Sequence, residues 1–308
     1  MIWLIAVSIG CCCCCSLIVL RLLCRKRIKI DGKTVLITGA SSGLGEALAR
    51  YLFNKQCQLI LLARRLDRLE NLRQELSNLH PTYPKPKIIQ IDLSNYEHIT
   101  SSSILMNILE HETIDCLINN AGISQRSSVF DTSIDIVNDI FRLNYFSLVT
   151  LTKLILIKMI EKKQKNSTIV NISSLQGLIA VPDRSSYSAS KHAVQAFSDS
   201  LRMELKEQYA EQNINICVIS PSYIRTELGQ QALNRMNNKN EKLIEDNKSS
   251  AYEPDYVAKR IVKAIEYREN DVIIAPFQQY LAIWLRRFWP ERFFKIMVAR
   301  NKRLKAKK

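Results

Sequence analysis

Tyr187 and Lys191, in SSYSASKHA, lie four residues apart in a stretch of helical spacing, so a phenol and an ammonium share one face. A free tyrosine, with a pKa of ~10, is a poor proton donor or acceptor at neutral pH. A neighbouring ammonium stabilises the phenolate and brings that pKa toward the working range. Ser173 and Ser174 close an apolar run fourteen and thirteen residues before the tyrosine. The intervening GLIAVPDRSS is long enough to return a serine hydroxyl beside it, where it would donate to an oxygen that gains charge. YxxxK alone is common by chance; its company decides its meaning.

That company includes glycine. Only eight glycines occur, and five follow predicted strand ends: Gly39, Gly43 and Gly45 in TGASSGLG, Gly122 in NNAG, and Gly177. Ligands of open α/β sheets bind at that edge, and glycine permits close backbone approach. In TGASSGLG the glycines, the Ser41 and Ser42 hydroxyls and the amides around Leu44 stand at a strand-to-helix turn, which suits a pyrophosphate; the bland alternative is a tight turn that binds nothing. The second strand ends in LLARR, where an acid that holds a ribose 2′-hydroxyl often stands. Arg64 and Arg65 instead suit a 2′-phosphate, so NADP(H) is favoured; alternatively they are a solvated pair opening a helix. Asp92, before Leu93, is placed either to accept an adenine amine or to cap a helix.

These residues require a scaffold that places strand ends side by side. The chain supplies strands at 33–38, 57–63, 87–92, 115–120, 167–174, 214–220 and 271–275. Helical patterns lie between them at 43–54, 66–76, 95–111, 133–163, 186–209 and 254–268. Alternation at this spacing predicts an α/β fold: a doubly wound, Rossmann-type parallel sheet of about seven strands, covered on both faces. Residues 227–253, polar and rich in Asn, Lys and Gln, read as a mobile excursion above the sheet.

In this order TGASSGLG, Asp92-Leu93, NNAG, Asn144 in RLNYF, ISS with Ser174, and YSASK resemble the short-chain dehydrogenase/reductase family over about residues 33–275. The resemblance implies a nicotinamide dinucleotide held by the glycine turn, Asn120, Ala121 and Gly122, with Lys191 reaching its ribose. It implies Tyr187 as acid/base, Lys191 as its partner, Ser174 as the substrate-orienting hydroxyl and Asn144 in the proton-relay framework. Where members often read Pro-Gly after the sixth strand this chain has Pro221-Ser222; Tyr223, Ile224 and Thr226 remain plausible cofactor contacts. The similarity is greatest to a membrane-anchored branch. That implies an NADP-linked enzyme of the endoplasmic reticulum or peroxisomal membrane, acting on a lipophilic carbonyl compound such as an acyl- or alkyl-dihydroxyacetone phosphate, a steroid or a retinoid. It also implies pairing through two helices, as a homodimer or a tetramer.

The ends of the chain read differently from its body. Net charge is +15, yet residues 1–33 hold six Lys/Arg against one Asp and residues 286–308 ten against one Glu, leaving the body near neutral at +1. Basic ends beside apolar segments suit anionic membrane lipid; a nucleic-acid face would lie on the body. Ile2 to Leu20 carries no charge and as a helix would span roughly 28 Å, close to a bilayer's hydrocarbon core. Cys11 to Cys15 fall inside it; neighbouring thiols on a helix point about 100° apart, so they cannot converge on one metal and pack as small apolar residues. No disulfide framework or metal site is expected, and Cys24, beside Arg25, is a candidate for acylation. A cleaved signal peptide fits poorly, so residues 1–24 read as an anchor with the body, residues 33–276, on the cytosolic side.

The tail, residues 277–308, holds Trp284 and Trp289 among Arg and Lys, with Pro290 breaking any helix. It reads as an interfacial helix pair, or as a docked segment covering the substrate pocket or a partner subunit. The whole predicts a membrane-anchored NADPH-dependent reductase of a lipophilic carbonyl compound. The alternatives are alcohol oxidation by the same site and a cofactor-binding scaffold whose catalysis has lapsed.

Overall fold

The computed structural model describes residues 27–229, 233 and 251–306. The expected N-terminal anchor and most of the 227–253 excursion lie outside the described residues.

Seven strands form one parallel sheet: β1 (Thr34–Thr38), β2 (Gln58–Ala63), β3 (Lys87–Gln90), β4 (Cys116–Asn119), β5 (Thr168–Ile172), β6 (Asn215–Pro221) and β7 (Asp271–Ile274), in the order β3-β2-β1-β4-β5-β6-β7. Successive side chains of a strand face opposite sides, so continuous apolar runs need two covers. Val35, Ile37, Leu59 and Leu61 join one apolar cluster with α1 (Gly43–Phe53), α2 (Leu66–Leu79) and α8 (Pro254–Glu266). Leu36, Ile60 and Leu62 point the other way. They pack with α3 (Glu97–Ser101), α4 (Ser103–His111), α6 (Ser147–Glu161) and the end of α7 (Ser185–Gln208).

The strand order reverses between β1 and β4, and there the chain is clamped. Thr38 Oγ1 accepts from the amides of Asn120 (2.9 Å) and Ala121 (3.0 Å), while Asn120 Nδ2 donates to the Thr38 carbonyl (2.9 Å). Ligands of such sheets bind in the crevice at this reversal.

Two expected helices are interrupted. The 95–111 run breaks at Ser102, whose backbone is extended and whose hydroxyl accepts from Leu105 N, starting α4 afresh. The 133–163 run divides into α5 (Ile134–Phe141), a π-helical turn at Arg142–Phe146, and α6. The π turn carries Asn144 to the sheet edge, and sequence periodicity gives no warning of it. The run Ile134–Glu161 is long and apolar enough to cross a membrane, but it packs on the sheet with Leu148, Leu151, Ile155 and Met159 buried. It is a core helix.

A buried polar chain joins strands to helices: Asn119 Nδ2 donates to Thr152 Oγ1 and to Asn171 Oδ1, and Asn171 Nδ2 donates to Ser198 Oγ, all at 2.9 Å. Removing its centre leaves buried partners unsatisfied. Asn171→Ala is therefore expected to cost about 1–3 kcal/mol, read as a lower urea midpoint at unchanged slope.

Candidate active site

A cavity of about 340 Å³ opens along the carboxyl ends of the strands. Of the residues expected to hold a dinucleotide, Gly39, Ser41, Ser42, Gly43, Leu44, Arg64, Arg65, Asp92, Leu93, Asn120, Ala121, Gly122, Tyr187, Lys191, Pro221, Ile224 and Thr226 all line it, as does Ser174. Two expected residues do not. Gly45 stands behind the wall, packed against the Gly39 carbonyl and Asn120 Nδ2. Asn144, 1% exposed, is also behind it.

The first turn is shaped for a close ligand. Gly39 has φ +66°, and a Cβ there would stand 2.9 Å from Ala121 Cα. Gly43 has φ +58°, and its Cβ would meet Thr226 at 2.9 Å. Only glycine accepts this backbone and this crowding. Ser42 takes the N-cap position of α1 without a side-chain cap bond, so the helix start is left for an anion. Its hydroxyl accepts from Arg65 Nη2 (2.7 Å), which also reaches Ser41 Oγ (3.1 Å). Arg65 and Arg68 share Glu227, at 3.4 Å and 3.0 Å. A glycine cradle, an uncapped helix start and paired guanidiniums fit the phosphates of a nicotinamide dinucleotide.

Asp92 does not cap the following helix. Its Oδ1 accepts from the amide (3.0 Å) and hydroxyl (2.7 Å) of Ser94, and Arg64 lies 3.8 Å away.

At the other end of the cavity Ser174, Tyr187 and Lys191 form one buried cluster. Burial raises the Tyr187 phenol above its ordinary pKa, against the lowering effects of a hydrogen bond with Ser174 and of the Arg184 charge. The expected acidification by Lys191 is not the governing effect, because the ammonium is directed elsewhere. Its Nζ donates to the Ile172 carbonyl at 2.9 Å and lies 5.9 Å from the tyrosine ring centroid. Burial brings the lysine itself down to about 8.

Asn144 supports this cluster from behind. Its Oδ1 accepts from Ile123 N (2.8 Å), and its Nδ2 donates to Ile123 O (3.0 Å) and Ser190 Oγ (3.0 Å). Ser190 Oγ donates to the Tyr187 carbonyl (2.8 Å), so the π turn is tied to the tyrosine's own helix turn. Ser173, the other serine of the pair, donates to the Lys191 carbonyl (3.1 Å).

Sequence reasoning missed several parts of the wall. Arg126, Arg184 and Gln176 line the cavity, as do Gln279, Ala282, Met297 and Arg300 from the C-terminal helices α9 (Phe277–Phe288) and α10 (Pro290–Ala306). Arg184 had one available signal, a position three residues before the tyrosine. For the C-terminal helices the sequence offered a docked segment over the substrate pocket as one reading, but no motif marked which of their residues would form the wall.

This fold and site define a nicotinamide-dependent oxidoreductase, and the chain belongs to the short-chain dehydrogenase/reductase family. A family model described as short chain dehydrogenase matches residues 33–237. A protein of Anopheles gambiae named dehydrogenase/reductase SDR family protein 7-like is 45% identical over 278 residues, covering 89% of this chain and 85% of that one. A short-chain dehydrogenase from Sphingobium yanoikuyae, solved with NADPH, superposes with a TM-score of 0.68 at 24% identity, over 89% of this chain and 95% of that one. A 4-hydroxyisoleucine dehydrogenase solved with NADH matches at 31% identity and a TM-score of 0.65, over 79% of this chain and 97% of that one.

The buried lysine carries a pH signature. Below about 8 the folded protein holds an ammonium in a dry site, whereas the unfolded chain holds it in water up to 10.5, so the penalty falls as pH rises between these values. Lys191→Met is expected to stabilise the ligand-free protein at pH 7. That gain should shrink as pH rises from about 8 toward 10.5, measured as the difference between the two unfolding free energies at each pH.

Proposed function

We propose that this protein is a membrane-anchored, NADPH-dependent reductase of a lipophilic ketone or aldehyde. The reading rests on one observation: Ser174, Tyr187 and Lys191 form a buried cluster in the same cavity whose far end is the glycine turn. When bound, the reduced nicotinamide supplies hydride to the carbonyl carbon. Ser174 donates a hydrogen bond to the carbonyl oxygen, and Tyr187 gives that oxygen its proton. A phenol raised by burial is held protonated, as an acid needs to be before transfer. Lys191, held on the Ile172 carbonyl, supplies the donors for the cofactor ribose. Asn144 acts as a positioning residue, holding the Ile123 backbone and the Tyr187 turn.

Arg65 and Arg64 favour NADPH over NADH. Arg65 already lies on Ser41, Ser42 and the carboxylate of Glu227, and a 2′-phosphate would supply an anion in the place Glu227 takes.

The membrane reading draws on the C-terminal helix pair. Phe293 is 1% exposed and packs on Leu175 and Ile179, so the pair is docked over the cavity. Its outer side leaves Phe277, Leu281, Trp284, Phe288 and Trp289 exposed beside Arg286 and Arg287. The two readings of the tail concern different faces of the pair. An aromatic face flanked by arginines suits the headgroup zone of a membrane, and would bring the cavity mouth close to lipid. The basic flank of the anchor favours a cytosolic body, and the likeness to the membrane-anchored branch favours the endoplasmic reticulum, or else the peroxisomal membrane. Pairing of two chains would use the outer sides of α6 and α7, where Ile157 and Met203 are exposed.

Tyr187→Phe is expected to cut carbonyl reduction about 10²–10⁴-fold while NADPH binding, followed by nicotinamide fluorescence, stays intact. Near-normal turnover would refute the role. Arg65→Asp is expected to raise the KM for NADPH by about 10–100-fold and leave that for NADH unchanged or lower, which initial rates with each cofactor will show.

A further inference from the structure

The arginine that suits a 2′-phosphate already holds an anion, supplied from 162 residues further along the chain. Arg65, at the N-cap position of α2, turns Nη2 to Ser42 Oγ (2.7 Å) and Ser41 Oγ (3.1 Å), and Nη1 to Glu227 Oε2 (3.4 Å). Arg68, in the first turn of the same helix, places Nη1 on both carboxylate oxygens of Glu227, at 3.2 Å and 3.0 Å. Arg68 first, and then Arg65, hold that carboxyl below its ordinary pKa, so it is an anion at neutral pH. Arg65 and Glu227 line the cavity; Arg68 is not among its lining residues.

Glu227 opens a short 3-10 turn, Glu227–Gly229. The backbone before it is held. Arg225 N donates to Tyr252 O and Tyr252 N to Tyr223 O, both at 2.9 Å, and the Thr226 side chain sits over Gly43, where an added Cβ would meet it at 2.9 Å. What can yield is the carboxylate. Its side chain is 42% exposed and those of Arg65 and Arg68 are 32% and 40% exposed, and ion pairs so open to water are weak. A phosphate monoester carries about −1.5 to −2 charges at pH 7, against one on a carboxylate, and meets a guanidinium through paired hydrogen bonds. A 2′-phosphate therefore outcompetes Glu227 at Arg65, while Arg68 keeps the displaced carboxylate.

We infer that Glu227 sets the cofactor preference from within: it is the counter-ion of Arg65 when no 2′-phosphate is present, and it withdraws to Arg68 when one binds. The inference rests on the reading of Arg65 as the 2′-phosphate ligand, and deepens it. With NADH the carboxylate stays, and neither arginine is left unneutralised. With NADPH it gives way, and its remaining charge opposes the phosphate. Glu227 thus narrows a margin between the two cofactors that Arg65 alone would make wide.

The test measures dissociation constants of NADPH and NADH by nicotinamide fluorescence for the wild type, Glu227→Gln, Arg68→Met and the double variant. Calorimetry with 2′,5′-ADP adds a probe that carries the phosphate without the nicotinamide. Glu227→Gln is expected to tighten NADPH and 2′,5′-ADP by about 3–10-fold and NADH by less than about twofold. Arg68→Met should weaken NADPH by about 3–10-fold with Glu227 in place, and by about threefold less in the Glu227→Gln background, since the carboxylate is what the second arginine holds. Equal gains for both cofactors in Glu227→Gln, or weaker NADPH binding, overturn the counter-ion role. An equal loss from Arg68→Met in both backgrounds makes Arg68 a phosphate ligand and overturns the withdrawal. If the wild type holds NADH as tightly as NADPH but Glu227→Gln prefers NADPH, the NADPH reading fails and the counter-ion stands. If the wild type prefers NADPH and Glu227→Gln leaves that preference unchanged, the NADPH reading stands and the counter-ion falls.

Discussion

The carboxyl ends of β1 and β4 must come together for anything else in this molecule to work. Thr38 draws them together by accepting three hydrogen bonds, two from Asn120 and one from the Ala121 amide, and Gly39 permits the approach because a Cβ would press on Ala121. From that seam the chain diverges. One side leads to the glycine turn, Ser42 and Arg65. The other leads through Gly122 to Asn144 and Lys191, since a Cβ on Gly122 would stand 3.0 Å from Asn144 Oδ1 and 3.6 Å from Lys191 Nζ. A wider seam would separate the glycine turn from Ser174, Tyr187 and Lys191. The reversal of strand order thus does more than make a crevice; it sets the distance between two kinds of chemistry.

Desolvation governs the charges on the proton-transfer side. It raises the tyrosine and lowers the lysine, so the pair rests closer to neutrality than an isolated phenol and amine would. The polar supports behind the wall are, by contrast, satisfied: Asn144, Ser190 and Ser173 all have partners, which keeps the reacting groups in place.

The C-terminal helices join the site to the surface. One face closes the cavity with Ala282 and Met297, anchored by Phe293; the outer face exposes Trp284 stacked on Phe288 at 5.3 Å. The same thirty residues thereby wall the cavity and carry an exposed aromatic face, so any shift of the pair on its apolar seat moves both.

The alternation of short apolar strands with helical spacing was enough to read the parallel sheet, because burial on both faces leaves a continuous apolar run that little else produces. TGASSGLG, NNAG and YSASK were enough to read the two halves of the site, since backbone proximity and a shared helix face are local properties written in residue type and spacing. The π turn that sets Asn144 behind the wall was not legible, because it alters the helix without altering its apolar pattern. Nor was the balance of charge at Tyr187, where spacing suggested an ammonium beside the phenol and the folded chain directs that ammonium to the Ile172 carbonyl. Arg184 belongs to the same class, since its place in the wall is set by burial; for the tail the sequence allowed a docked segment over the pocket, but which residues from Gln279 to Arg300 would form the wall was not legible. Local sequence determined the elements and the reacting residue types; only the tertiary structure decided which of them lost their water, and desolvation is a property of the whole fold rather than of any segment.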